Sequence, residues 1–241
     1  MALYITIDSG NSATKAALWR GDDIVCLGSA DEVARAMGCG RADAGILCSV
    51  GPHKAECLSL LSETCVRSYD LGADTALPFS VSYGPGLGAD RLAAVAGASE
   101  RAPHRSLLVV DAGTAVTYDV VTDGGDHRGG NIAPGATLRA QALAAHTAAL
   151  PAVTLAGYTP LTATATADAI RSGVLRGIVA EIEYYHRRLQ GAVVVLTGGD
   201  APLLAPLLTA DGYDAATLII EPKLVHIGLK SILQYNENRY H

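Results

Sequence analysis

Positive charge is in short supply in this 241-residue chain: 18 Lys and Arg are outnumbered by 24 Asp and Glu, for a net charge of −6. Gripping a nucleic-acid backbone takes an excess of cationic side chains, so nucleic acid is excluded as a main partner. No apolar run approaches the roughly 20 residues that cross a bilayer. No basic start precedes Leu3 either, so neither a membrane partner nor a signal peptide is expected. Cysteine is confined to Cys26, Cys39, Cys48, Cys57 and Cys65, an odd number with no C-x-x-C pair. Free thiols in a reducing compartment follow, and with them a cytoplasmic location. The seven histidines show no metal-ligand spacing, and a G-x-x-x-x-G-K-[ST] loop is missing, which argues against a P-loop kinase. Aromatics are sparse, and Trp19 and Phe79 read as core. The 49% hydrophobic and 17% charged content still provides for buried cores in one large domain or two ordinary ones.

The most informative feature that is present is a loop that occurs twice. Leu3-Tyr4-Ile5-Thr6-Ile7 runs into Asp8-Ser9-Gly10-Asn11-Ser12-Ala13-Thr14-Lys15, and Leu107-Leu108-Val109-Val110 into Asp111-Ala112-Gly113-Thr114-Ala115-Val116-Thr117-Tyr118. Asp, Gly and Thr recur at matching positions, and a further strand-like run follows each copy. Each reads as a hairpin with a carboxylate at the end of its first strand, and the glycine lets a phosphate approach the backbone. A single D-x-G turn is ordinary punctuation between strands. The repetition points instead to two related halves and a phosphotransferase holding a nucleotide and its metal.

Between and beyond these loops, strands and helices alternate, which makes the chain α/β. Helices are expected over Asp31–Met37, from Pro52 (with Leu58, Leu61 and Cys65 on one face), over Asp90–Ser99, Ala136–Ala149, Thr166–Leu189 and Leu224–Tyr235. Buried strands are expected over Ala44–Val50 and Ala192–Leu196, and a strand over Phe79–Tyr83. The polar linker Glu100–Arg105 is the candidate boundary, dividing the chain into 1–103 and 104–241. Ile170, Val174, Ile178, Ile182 and Tyr185 line one face of the long helix, and a homodimer with this helix at or near its interface is expected.

Gly88-Ala89-Asp90-Arg91 opens a helix, where a carboxylate is held ionised. Asp90 there suits a general base, and Arg91 a bidentate grip on a carboxylate or phosphate. The same two residues also suit a helix cap and a surface charge.

Taken together, these motifs resemble the type III pantothenate kinases, within the superfamily of acetate kinase, sugar kinases and actin. The resemblance rests on Asp8–Asn11 with Lys15, Gly88–Arg91 and Asp111–Ala115. Gly129-Gly130-Asn131-Ile132-Ala133-Pro134-Gly135 and Thr166 before Ala169-Ile170-Arg171-Ser172-Gly173 extend it. It implies two actin-like (ribonuclease H-like) domains with a nucleotide cleft between them. The implied reaction is ATP-dependent phosphorylation of pantothenate, the first step towards coenzyme A, by a homodimer. On matching positions, it implies that Asp8, Ser9, Gly10, Asn11, Ser12, Ala13, Thr14 and Lys15 form the first phosphate loop, with Asp8 near Mg²⁺ and Thr114 touching ATP. It further implies Asp90 as proton acceptor and Tyr83, Gly88, Ala89, Asp90, Arg91 and Thr166 as pantothenate contacts. Asp111 would hold a monovalent cation, K⁺ or NH₄⁺. Thr197-Gly198-Gly199-Asp200 resembles the superfamily's nucleotide-side glycine turn and equally reads as a plain strand-ending turn. The chain departs from the family in a shorter Tyr83–Gly88 stretch and in Ala165, where Asn is frequent. Another small-molecule kinase or phosphatase, or a non-catalytic regulator on the same fold, are the alternatives.

Overall fold

Both expected hairpins form in the computed structural model, which describes residues 1–11, 13–72, 75–84 and 86–239. Ser12 of the first loop and Pro85 of the Gly-rich stretch lie outside the described residues. The first hairpin pairs β1 (Leu3–Ser9) with β2 (Thr14–Arg20). After it come β3 (Asp23–Gly28), α1 (Ala30–Met37), β4 (Ala42–Ser49), α2 (Lys54–Thr64), β5 (Cys65–Asp70) and α3 (Ala89–Arg101). The sheet runs β3-β2-β1-β4-β5, antiparallel on the β2 side of β1 and parallel on the β4 side.

The second hairpin pairs β6 (Leu107–Ala112) with β7 (Ala115–Val121). It is followed by β8 (His127–Pro134), α4 (Ala136–His146), α5 (Thr166–Arg188), β9 (Val193–Thr197), α6 (Ala201–Ala210), β10 (Leu218–Ile220) and α7 (Leu224–Glu237). The order β10-β9-β6-β7-β8 repeats the first sheet's plan, with β6 in the place of β1. The loop repeat is thus the visible part of a repeat of whole sheets. β1 and β6 are central strands, buried at Ile5, Thr6 and Ile7 and at Leu107–Val110, which is why they read as continuous apolar runs.

The chain divides into Met1–Pro103 with Lys223–His241, and His104–Pro222. The expected division gave 104–241 to the second half; the C-terminal helix instead belongs with the first. Leu229, Ile232 and Leu233 of α7 pack with Ala44 and Ile46 of β4 and Leu92, Ala93 and Ala96 of α3. The α3–α7 crossing is a backbone approach. A Cβ added at Gly228 would run into the Ala93 carbonyl, and one at Gly97 into the Leu224 carbonyl. The other face of the first sheet is covered by α1, which starts with a Ser29–Glu32 capping box, and by α2.

The expected strand at Phe79–Tyr83 does not form: apart from an isolated bridge at Val81 it is irregular, with Phe79, Val81 and Leu87 packed on the α3–α7 core. Cys65 ends α2 and begins β5 rather than continuing the helix face. In α5, Ile170, Val174, Ile178 and Ile182 are consumed by the second unit's own core. That face needs no partner copy to bury it.

Candidate active site

Strand pairing shows how the two loops correspond. Asp8 lies opposite Lys15 and Ser9 opposite Thr14, whereas Asp111 lies opposite Thr117 and Ala112 opposite Val116. The second loop is therefore one residue shorter. The Gly10 N–H donates to the Ala13 carbonyl at 3.0 Å, and the Gly113 N–H to the Ala115 carbonyl at 2.9 Å. The Asp and Gly matches hold in three dimensions, but Thr14 corresponds to Val116 rather than Thr117. Lys15, the cation facing Asp8, has a threonine as its counterpart.

In the first unit, burial pushes the Asp8 carboxyl up to about 6, the charge of Asp90 adds to this, and Lys15 opposes it. The two carboxylates expected to share the chemistry thus lie within each other's field. Gly88 occupies the N-cap of α3 and Asp90 its first turn, where Asp90 Oδ1 accepts from the Arg91 N–H at 2.8 Å. A Cβ on Gly88 would meet that carboxylate, so the glycine leaves room for Asp90 to fold back over the helix start. Arg91 is buried, and its guanidinium carbon stands 4.9 Å from the centre of the half-exposed Tyr83 ring. Tyr83, Gly88, Ala89, Asp90 and Arg91 are brought together at this helix start.

The first loop is braced from the end of β4. The N–H groups of Val50 and Gly51 donate to the Ser9 carbonyl (3.0 and 3.2 Å), and a Cβ at Gly51 would strike the Gly10 carbonyl. Ser9 Oγ lies 3.0 Å from Thr14 Oγ1 across the hairpin. Gly10, Asn11, Ala13, Thr14, His53 and Glu56 line a cavity of about 390 Å³. His53 and Glu56 carried no signal in the sequence, because α2 reaches the loop only through the fold.

In the second unit, Asp111 is the last residue but one of β6 and Thr114 is exposed in the loop. The Gly135 N–H donates to the Thr114 carbonyl at 3.0 Å, so the Gly129–Gly135 segment, a strand for most of its length, ends beneath the second loop. Gly198 has φ +92° and abuts Ala112, and a Cβ there would come within 2.5 Å of Asp111 Oδ1. The Asp200 N–H donates to the Ala112 carbonyl at 2.8 Å. Thr197–Asp200 is therefore more than a strand ending: it is built onto the second loop. Burial raises the Asp200 carboxyl, a hydrogen bond from the Ala136 backbone opposes this, and Oδ2 is buried without a hydrogen-bond partner among the described residues. Asp200 lines a cavity of about 760 Å³ with Thr137, Gln141, Leu155 and Leu203. Thr166 stands at the exposed start of α5 in the second unit, whereas Tyr83 and Gly88–Arg91 lie in the first. Ala165, the N-cap of α5, supplies no side-chain cap.

Residues 4–188 match the type III pantothenate kinase family. A type III pantothenate kinase from Porphyromonas gingivalis is 37% identical over 98% of this chain and 100% of its own length. This chain belongs to the type III pantothenate kinase family. Among solved structures, a Campylobacter jejuni protein assigned to the Baf family of transcriptional activators superposes with a TM-score of 0.65 at 24% identity. It covers 97% of this chain and 99% of that one. Component A of the (R)-2-hydroxyglutaryl-CoA dehydratase of Acidaminococcus fermentans superposes with a TM-score of 0.58 at 15% identity, over 99% of each chain. At these identities the structures show the fold alone, the actin-like (ribonuclease H-like) α/β plan. The family match includes Asp8, Asp90, Asp111 and Thr166; it ends before Asp200 and α7.

Proposed function

We propose that this member of the pantothenate kinase family transfers the γ-phosphoryl group of ATP to the primary hydroxyl of pantothenate, the first step towards coenzyme A. The observation that carries the reading is the helix start at Gly88–Arg91. It presents a carboxylate and a buried arginine together, within the field of the loop carboxylate Asp8. Asp90 accepts the hydroxyl proton while the oxygen attacks the γ-phosphorus in line and the bond to the ADP oxygen breaks. Arg91, held against Tyr83, suits the pantothenate carboxylate, with Gly88, Ala89 and Thr166 as further contacts. The loop from Asp8 to Lys15, together with Thr114, binds the ATP phosphates through backbone N–H groups and the Lys15 charge. The cavity beside Asp200 suits the nucleoside.

Two cations complete the site. A buried carboxylate destabilised by a second one fits a divalent ion at Asp8, and Mg²⁺ bound there neutralises phosphate charge. Asp111, near the end of β6, is the residue that would hold a monovalent ion. Activity in K⁺ or NH₄⁺ is expected to drop at least about tenfold when Na⁺ replaces them at equal ionic strength. Equal rates in all three salts would remove the cation from Asp111.

The assembly is a homodimer in this reading. Because the buried face of α5 is filled from within, the support comes from apolar side chains left exposed on the second unit: Ile132, Leu138, Tyr158, Leu161 and Tyr184. Light scattering at micromolar concentration should return twice the 24.8 kDa protomer mass, and the protomer mass itself would refute the dimer. The activity is tested by following ADP release with pantothenate, with a sugar or carboxylate panel, and with no acceptor. Release that requires pantothenate supports the assignment; release with another acceptor alone replaces it.

A further inference from the structure

A buried histidine in the C-terminal helix is used by none of these roles. His226 is 4% exposed, and its Nδ1 lies 2.9 Å from Thr6 Oγ1. The indole N–H of Trp19, which can only donate, gives a hydrogen bond to the same hydroxyl at 3.0 Å. The direction of the Thr6–His226 bond follows the ring tautomer, and His226 Nε2 is buried with no hydrogen-bond partner among the described residues. Burial, helped by the charge of Lys15, pushes the imidazole down to about 4, so it is neutral at physiological pH.

Thr6 precedes Asp8 by two residues on β1 and shares its face of the sheet. Trp19 lies on β2, the strand that places Lys15 opposite Asp8. Two residues beyond His226, Gly228 makes the backbone approach to α3, whose first turn carries Asp90. One stretch of α7 therefore touches both elements that bear the interacting carboxylates. A lysine from the same helix, Lys230, reaches Asp22 at 2.5 Å and stands 5.0 Å from the Trp19 ring, a second tie to β2 and the turn that follows it.

We propose that His226 is a positioning residue for phosphoryl transfer: through Thr6 it fixes β1 against α7, and so sets the placement of Asp8 relative to Asp90. The inference rests on the kinase reading, in which those carboxylates carry the chemistry. It makes the last helix of the chain part of the catalytic framework.

The test compares kcat and KM for wild type, Thr6→Val, His226→Phe, the double variant and His226→Asn. Thr6→Val and His226→Phe should each lower kcat about tenfold while KM for pantothenate stays within about threefold, because substrate contacts are intact and alignment is not. The double variant should be no slower than Thr6→Val alone, since Thr6→Val already breaks the His226 link along with the Trp19 bond. His226→Asn, which can place an amide able to donate or accept near the Nδ1 position, should restore most of the rate. Wild-type kcat in the folded variants, or losses that multiply in the double variant, would overturn the proposal. So would an Asn variant as slow as Phe. Should His226→Phe fail to fold, His226→Leu takes its place in the comparison. A wild type with no pantothenate-dependent ADP release overturns the kinase reading and the positioning role together. An active wild type with unaffected variants overturns the positioning role only.

Discussion

Asp90→Asn is expected to yield a folded protein that still binds ATP and pantothenate but turns over at least about a hundredfold more slowly. Asparagine keeps an oxygen for the Arg91 N–H, so the start of α3 is preserved. What is lost is the proton acceptor of the proposed reaction. Because the Asp90 charge also raises the Asp8 carboxyl, the substitution should bring Asp8 back towards the ordinary carboxylate range, which carbon NMR of a labelled sample can follow. Arg91→Lys, in contrast, keeps the charge but loses both the planar fork and the face-on contact with Tyr83, so its main damage should be a raised KM for pantothenate. Steady-state kinetics with circular dichroism as the folding control separate these outcomes. Near-native turnover of Asp90→Asn would reduce Asp90 to a residue that organises a helix start.

Asp8→Asn should produce the second large effect, with activity and stability moving in opposite directions. The ordinary Asp carboxyl titrates near 3.8, and the folded protein raises it to about 6. On raising the pH the unfolded chain releases this proton first, so Asp8's contribution to stability is complete below about 3.8 and is lost as the pH climbs through about 6. Above that, the ionised carboxylate destabilises the fold by up to about 3 kcal/mol at 1.36 kcal/mol per pKa unit. Asparagine removes this penalty, so the variant should melt higher than wild type at pH 8 in the absence of Mg²⁺, and the difference should vanish near pH 4. Its turnover should fall roughly a hundredfold or more, because the proposed reaction relies on Asp8 to hold the divalent ion at the phosphates. A variant no more stable than wild type at pH 8 would show that Asp8 carries no such strain. This is the pattern of a group kept for function at a cost in stability.

The parts of the site that were legible in the sequence are those encoded by short local patterns. An apolar run followed by D-x-G announces a central strand and its loop, and α3 is visible from Gly88 through Asp90 onwards. What could not be read depends on contacts between distant segments. Helical periodicity in α5 shows that one face is buried but not against what, and the covering proved to be the unit's own core. Nothing in the last residues says that α7 packs on β4 and α3 of the first unit, because its partners lie more than a hundred residues earlier. The third matched position of the two loops misleads, since one loop has a residue fewer and pairing, not alignment, decides which residue faces Asp111. β3 escapes notice because it is an edge strand with Val25 and Leu27 exposed, and α6 because Pro202 and Pro206 read as breakers. Pro202 lies in the first turn, where its missing N–H is harmless.

The reaction itself is tested most directly by phosphorus NMR of the chain incubated with ATP, Mg²⁺, K⁺ and pantothenate. The expected result is a phosphomonoester signal on pantothenate that grows as the γ-phosphate signal of ATP declines by the same amount, with the spectrum unchanged when pantothenate is left out. ATP loss that proceeds equally without pantothenate, or release of inorganic phosphate in place of the ester, would contradict the assignment.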